Sequence, residues 1–416
     1  MFLSRWKGPI MMLCLLPVIL TVGNAGPTDP AKVKPGVEML FADENNVKLI
    51  QGKKVGLITN PTGVDHNFNS TIDLLAEYPG CELKALFGPE HGIRGDFFAG
   101  AKVSDSVDKK TGVPVYSLYG SRSKPLEETL KELDILIYDI QDIGIRPYTY
   151  ISTMIRCMEA AKKAGISFMV LDRPDPLGGE TISGPVLDPK FKSGIGIWTI
   201  PYTYGLTPGE LALMYNREEK LGVDLHVVKM EGWKRGMLYP ETGLPWVPPS
   251  THIPRWDTSF YCAITGGMGE LHKVNEGVGY TLPFEVAGAP FINGTDLTNE
   301  LNSRNLPGVR FRPISYKVLY YKFKDKSCSG VHIYLTDPRN VNPFLTGLNL
   351  MDAINRMYPE AKIFEAGPRV SMFNKAMGTD SIRNMLMEKR PVSEIVKSYE
   401  KGLEEYRIKR KKHLLY

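Results

Sequence analysis

With 416 residues, 43% hydrophobic and 23% charged, the chain has the composition of a globular protein and exceeds what one ordinary core supports, so two domains are expected. Its 51 basic and 46 acidic residues leave a formal charge of +5, which names no partner and gives no footing for nucleic acid. Among five cysteines there is no CxxC pair and no zinc spacing, so a metal site is not expected.

Residues 1–25 stand apart. Arg5 and Lys7 precede an apolar run over 9–22, and Gly23-Asn24-Ala25 supplies small residues for cleavage, the pattern of a secretory signal peptide. The run of about 14 residues is short of the roughly 20 that span a bilayer, so no stable membrane anchor is expected. Export places the protein in the periplasm or outside the cell. Cys81, Cys157, Cys262 and Cys328 remain after cleavage, and their wide spacings suit buried free thiols as well as one or two disulfides.

The mature chain opens with a helical pattern over 36–49. A strand over 54–60 ends in the polar turn Asn60-Pro61-Thr62-Gly63, and helical spacing with a Ser/Thr start covers 70–78. A second strand over 83–87 runs into Gly88-Pro89-Glu90-His91-Gly92-Ile93-Arg94-Gly95-Asp96, which packs two acids, an imidazole and a guanidinium among glycines. Residues 113–119 read as loop, then a helix over 125–132 leads into Ile135-Leu136-Ile137-Tyr138-Asp139-Ile140, apolar enough for a central parallel strand. Gln141-Asp142-Ile143-Gly144-Ile145-Arg146-Pro147-Tyr148-Thr149-Tyr150 follows, then a helix to 163 closed by Gly165. A strand over 167–172 ends in Asp172-Arg173-Pro174-Asp175.

This alternation predicts an α/β fold with a parallel sheet, right-handed crossovers and helices on both faces. Ligands of such sheets sit beyond the carboxyl ends of the strands. Those ends here read Asn60, Glu90 with His91, Asp139 with Asp142, and Asp172 with Arg173. The absence of GxGxxG or GxxxxGK[ST] after the first strand removes support for a nucleotide.

Residues 178–207 read as a long crossover or lid, followed by a helix to 220 and a strand over 225–228. The break at Gly243-Leu244-Pro245-Trp246-Val247-Pro248-Pro249-Ser250 sets the expected division: 1–25 signal peptide, 26–245 first domain, 246–416 a smaller C-terminal α+β domain. The latter carries Glu270, Glu276 and Pro283-Phe284-Glu285, a strand over 331–335, and helices over 343–356 and 392–407. The basic run over 407–412 reads as a solvated helix end.

Carboxylates at neighbouring strand ends with aromatics nearby are the ingredients of glycoside hydrolysis. A partly buried Glu90, with Asp139 or Asp142 beside it, would keep its proton near neutral pH through desolvation and like-charge repulsion. Arg94 and Arg146 are candidates for a substrate carboxylate or for internal ion pairs with Asp96, Asp139 or Asp142. Tyr119, Tyr148, Tyr150, Trp198, Tyr202, Tyr204 and Trp246 are candidate stacking faces or core. An esterase is disfavoured, because no Gly-x-Ser-x-Gly elbow appears.

The segments around Glu90, the run from Asp139 to Tyr150, Leu171-Asp172-Arg173-Pro174 and Thr242-Gly243-Leu244-Pro245-Trp246-Val247-Pro248-Pro249-Ser250 resemble the exo-β-N-acetylmuramidase family of exported bacterial proteins. The resemblance implies a Rossmann-like catalytic domain, a smaller C-terminal domain and a cleft between them. It further implies release of terminal β-linked N-acetylmuramic acid from non-reducing ends of peptidoglycan fragments, with no metal or organic cofactor. Glu90 is the implied catalytic residue, and the reading of the residues themselves adds Asp139 or Asp142 as its partner and His91 to orient it. Asn60, Arg94, Arg146, Tyr148, Tyr150, Asp172, Arg173, Trp246 and Glu276 make up the expected binding set. Two segments depart from the family pattern, Ser250-Thr251-His252-Ile253-Pro254 and Gly277-Val278-Gly279-Tyr280-Thr281-Leu282. Both fall where the second domain is expected to close over the sugar. A non-catalytic envelope protein that binds muropeptides is the alternative reading.

Overall fold

The computed structural model describes residues 33–89, 92–94, 106–118, 127–365 and 367–416. Along the first half the elements are α1 (Gly36–Ala42), α2 (Glu44–Lys48), β1 (Lys54–Thr59), α3 (Thr71–Glu77), β2 (Glu82–Gly88), β3 (Ser106–Val107), β4 (Pro114–Ser117), α4 (Glu127–Leu130), β5 (Ile135–Asp139), α5 (Thr149–Ala164) and β6 (Ser167–Leu171). A short hairpin of β7 (Ile182–Ser183) and β8 (Thr203–Tyr204) precedes α6 (Pro208–Glu218) and β9 (Leu225–Val228).

These strands form one sheet in the order β3-β4-β2-β1-β5-β6-β9, parallel throughout except for β3 at the edge. Leaving β3 aside, the order is that of a doubly wound dinucleotide-binding sheet, with its direction reversing between β1 and β5. The expected α/β architecture is therefore present. Strand β4 falls where the sequence reads as loop. Its four residues show no buried run, and it is held by pairing with β2, a contact no local pattern announces.

Local chemistry explains the element boundaries. Ser70 accepts the Ile72 N–H to start α3, and Gly165 at φ 73 closes α5 in the left-handed region that suits glycine. Thr207 and Glu210 form a reciprocal capping box at α6. Core strand β5 is buried at all five positions, as its apolar run predicts. Of the long crossover or lid expected over 178–207, the structure shows a crossover that carries part of the core, with Trp198, Tyr202 and Tyr204 almost wholly enclosed.

The second half comprises α7 (Thr258–Gly269), β10 (Val286–Ala289), α8 (Gly294–Ser303), β11 (Val309–Lys317), β12 (Ser327–Leu335), α9 (Pro343–Met357), α10 (Val370–Met377), α11 (Ser381–Met387) and α12 (Val392–Arg410). Its antiparallel sheet runs β10-β12-β11, with one hydrophobic cluster filling the space among strands and helices. Ile143, Ile145, Leu177 and Tyr202 of the first half enter that cluster, so the halves share packing. Cys81, Cys157, Cys262 and Cys328 are free thiols.

The chain then returns to the first half. Tyr406 donates to the Tyr204 carbonyl at 2.8 Å, His413 lies 2.9 Å from Glu218, and the Tyr416 hydroxyl donates to Asp172 at 2.8 Å. Arg410, expected at a solvated helix end, is buried and donates to the Gly179 carbonyl at 2.6 Å and to that of Gly205.

Candidate functional site

Register brings Thr59 of β1 beside Asp139 of β5 at the point where strand order reverses. Asp139 is fully enclosed, and both its oxygens accept from Arg173, at 2.5 and 2.9 Å, while Thr71 also donates at 2.5 Å. The Arg173 guanidinium also donates to the Val64 carbonyl at 3.0 Å. Asn60 turns inward to cap its own turn, accepting the Thr62 N–H at 3.0 Å. Tyr239, Leu244, Pro245 and Val247 fill the remaining crevice, leaving about 10 Å³ beside Arg173 and Gln141. That is room for about one water and not for a nucleotide.

Asp142 is buried and accepts from the Tyr204 hydroxyl and from the Gly144 N–H at 2.9 Å. Burial pushes its carboxyl up to about 6, against the opposing pull of those donors. Asp172 accepts from Thr207 at 2.7 Å, the Gly209 N–H at 2.8 Å and Tyr416, and thus ties the start of α6 to residue 416. Burial raises it to about 7.

Several expected binding residues have other work in this arrangement. Arg146 is enclosed and donates to the carbonyls of Pro185, Ile200 and Ala376 at 2.9, 2.8 and 3.0 Å, riveting the first half to α10. The Tyr150 hydroxyl donates to the Pro249 carbonyl at 2.5 Å, and Tyr148 packs edge-on against it at 4.8 Å. Trp246 stands edge-on to Tyr239 at 4.8 Å and donates to the Ile253 carbonyl at 3.2 Å. Trp198, Tyr202 and Tyr204 are core and not platforms.

Arg94 lies just past β2, where its side chain, 38% exposed, forks onto Asp108 at 2.7 and 3.0 Å. Lys109 and Lys110 line the same recess, with Lys110 on Asp73 at 2.7 Å, so among the described residues three cations face two acids there. The Arg94 hydrogen bonds hold Asp108 down at about 2. Glu90, His91, Asp96 and Tyr119 lie outside the described residues.

The segment that plugs the crevice continues into a cavity of about 610 Å³, a size usual for small-molecule sites. Thr251 and His252 form one wall, and Glu270, Glu276 and Phe284 another. Both segments that depart from the family pattern thus meet on this cavity, through Thr251, His252 and Val278. Glu276 is buried in an ion pair with Lys322, which also donates to the Gly269 carbonyl at 2.6 Å. Burial raises the Glu276 carboxyl while Lys322 opposes the shift. Gly277 and Gly279 shape this turn at φ 89 and 91, where a Cβ would lie 2.0 Å from the carbonyl oxygens of Leu282 and Tyr320.

Of the residues at this cavity, Glu276 was expected from the sequence, whereas its partner Lys322 and the lining Tyr320 and Tyr321 were not. The available signal was two adjacent tyrosines within a lysine-rich run between strands, a place where core aromatics are not expected.

The buried acids dictate a pH response. Asp142 and Asp172 hold in the folded state a proton that the unfolded chain, with carboxyls near 3.9, gives up. The contribution of these two acids to stability therefore falls as pH rises from about 4 to 7, and outweighs the opposite contribution of His272, which burial holds down at about 4. Asp108, depressed to about 2, contributes stability that is present above about 4 and lost as pH falls. Melting temperature should peak near pH 4 to 5 and decline by pH 7.5, with Asp172→Asn flattening the decline. A midpoint climbing steadily from pH 5 to 7.5 contradicts this account.

A parallel sheet with its nucleotide crevice closed, beside a cavity lined by Glu270, Glu276 and two tyrosines, defines an α/β protein with a candidate small-molecule site. The chain belongs to the exo-beta-N-acetylmuramidase NamZ family, whose N-terminal model matches residues 55–257 and whose C-terminal model matches 262–416. It is 46% identical over 385 residues to the peptidoglycan beta-N-acetylmuramidase NamZ of Bacillus subtilis (strain 168), covering 92% of each chain. Crystal structures of two DUF1343 family proteins from Bacteroides fragilis NCTC 9343 share the fold. One is 43% identical with a TM-score of 0.88 over 92% of this chain and 99% of its own. The other is 31% identical with a TM-score of 0.74 over 93% and 99%.

Proposed function

We propose that this protein is an exo-acting glycoside hydrolase that releases terminal β-linked N-acetylmuramic acid from non-reducing ends of peptidoglycan fragments. The observation that carries this reading is the 46% identity, over 92% of both chains, to a protein named for that bond. Glu90, two residues beyond the end of β2, is the general acid that protonates the departing glycosidic oxygen. Water delivers its hydroxyl to the anomeric carbon, activated by a carboxylate or after attack by the substrate's own 2-acetamido group.

Asp139 and Asp142 act as positioning residues. Asp139 keeps Arg173 and the ends of β1 and β5 in register, and Asp142 holds Tyr204. His91 orients Glu90. Arg94, with Lys109 and Lys110 beside it, meets the lactyl carboxylate, since its guanidinium is part exposed in a recess where the described cations outnumber the described acids. Residues 1–25 direct export, which brings the enzyme to a substrate that lies outside the cytoplasmic membrane.

Incubation with the disaccharide of N-acetylmuramic acid β-linked to N-acetylglucosamine is expected to yield both free sugars. Tight binding of the disaccharide with no sugar released would favour the non-catalytic envelope protein instead.

A further inference from the structure

The 610 Å³ cavity holds two features that hydrolysis of the terminal sugar does not use. The first is the turn joining β11 to β12. There Tyr320 and Tyr321 stand 50% and 51% exposed, against the cavity, where ring faces of that size are ordinarily buried. The turn is also held in a costly shape. Tyr321, Phe323 and Asp325 have φ of 70, 62 and 64, a left-handed region that non-glycine residues enter at a penalty.

Several contacts hold it so. Leu319 donates to the Gly279 carbonyl at 2.8 Å, and Asp325 to that of Val318 at 2.8 Å. The Tyr320 hydroxyl pairs with His252 at 3.1 Å, and that of Tyr321 with His272 at 3.0 Å. Both rings are therefore oriented in advance.

The second feature is charge. Glu276 is matched by Lys322 and Glu270 by Arg369 at 2.6 Å, so the acids around the cavity carry no surplus of either sign. His272 is held near 4 by burial and by Lys322 and Arg369, and is neutral at physiological pH. An anionic ligand finds no spare cation among the described lining residues. A neutral ring with hydroxyl and amide donors finds carboxylate oxygens to donate to and two phenol faces to stack on.

Peptidoglycan alternates an anionic sugar, which carries the lactyl acid, with a neutral 2-acetamido sugar. We propose that this cavity, with Tyr320 and Tyr321 as its platform, is the subsite for the neutral N-acetylglucosamine on the leaving side of the scissile bond, a specificity site that rests on the exo-muramidase reading above.

The test compares two substrates of the full-length protein. One is the muramyl–glucosaminyl disaccharide. The other is the glycosyl fluoride of N-acetylmuramic acid, whose leaving group fills no sugar subsite. Tyr320→Ala combined with Tyr321→Asn removes both rings, asparagine being chosen because it tolerates positive φ. On the disaccharide kcat/KM is expected to fall about tenfold or more, mostly through KM, while the fluoride rate changes less than about twofold. Tyr320→Phe with Tyr321→Phe, which keeps the ring faces, is expected to restore most of the loss.

Equal losses on both substrates would place the cleaved sugar in the cavity and overturn the proposal, as would no loss on either. If the wild-type protein hydrolyses neither substrate, the functional reading fails separately, and titration with methyl β-N-acetylglucosaminide decides the subsite. Saturable binding abolished by the ring-deleting pair supports it, and no binding overturns it.

Discussion

Glu90→Gln is expected to lower kcat on the muramyl–glucosaminyl disaccharide by about 10³-fold while leaving the melting temperature unchanged. A positioned acid contributes about 10²- to 10⁴-fold, and the loss is greatest where the leaving group is a poor one such as a sugar hydroxyl. Glutamine keeps the shape and one hydrogen-bond acceptor but has no proton to give. The glycosyl fluoride separates two roles, because fluoride departs with little help. A Glu90→Gln enzyme that still hydrolyses the fluoride has lost an acid, whereas one dead toward both substrates has lost a nucleophile. An undiminished rate on the disaccharide would remove Glu90 from the chemistry altogether.

Arg173→Met is expected to cost about 3–5 kcal/mol, read as a large fall in the urea midpoint with an unchanged slope. Arg173 and Asp139 are 4% and 0% exposed, and the arginine supplies two of the three hydrogen bonds to that carboxylate. Removing it leaves a buried charge with Thr71 alone. Replacing both partners, Asp139→Leu with Arg173→Met, should recover much of the stability, since no lone charge then stays inside. The double variant also tests the role given to Asp139. A folded double variant with kcat within about tenfold of wild type fits a positioning residue, and one that is folded but inert would return Asp139 to the reacting groups.

The parallel sheet was legible because its central strands are buried on both faces and so spell continuous apolar runs, β5 most plainly. Strand β4 was not, since only its pairing with β2 and β3 distinguishes it from loop. Polar strand ends were also readable, but not the direction in which they point. Asp139, Asp172 and Arg146 have the residue types of a sugar site, yet each is spent on partners 34 to 244 residues away. Sequence spacing carries no trace of such distances. The exposed Tyr320 and Tyr321 were missed for the converse reason: their one local signal, adjacency within a lysine-rich run, is faint in a chain most of whose described tyrosines are not exposed.

The bond from Tyr416 to Asp172 spans 244 positions, and Arg410 reaches 231 positions back to Gly179. Such remote pairings raise contact order, so the first sheet acquires its final hydrogen bonds only when the far end of the polypeptide arrives. Folding should accordingly be slow, and calorimetry should record one cooperative endotherm in place of a separate peak for each half. An early melting step confined to either half would show that this long-range clasp does not couple them.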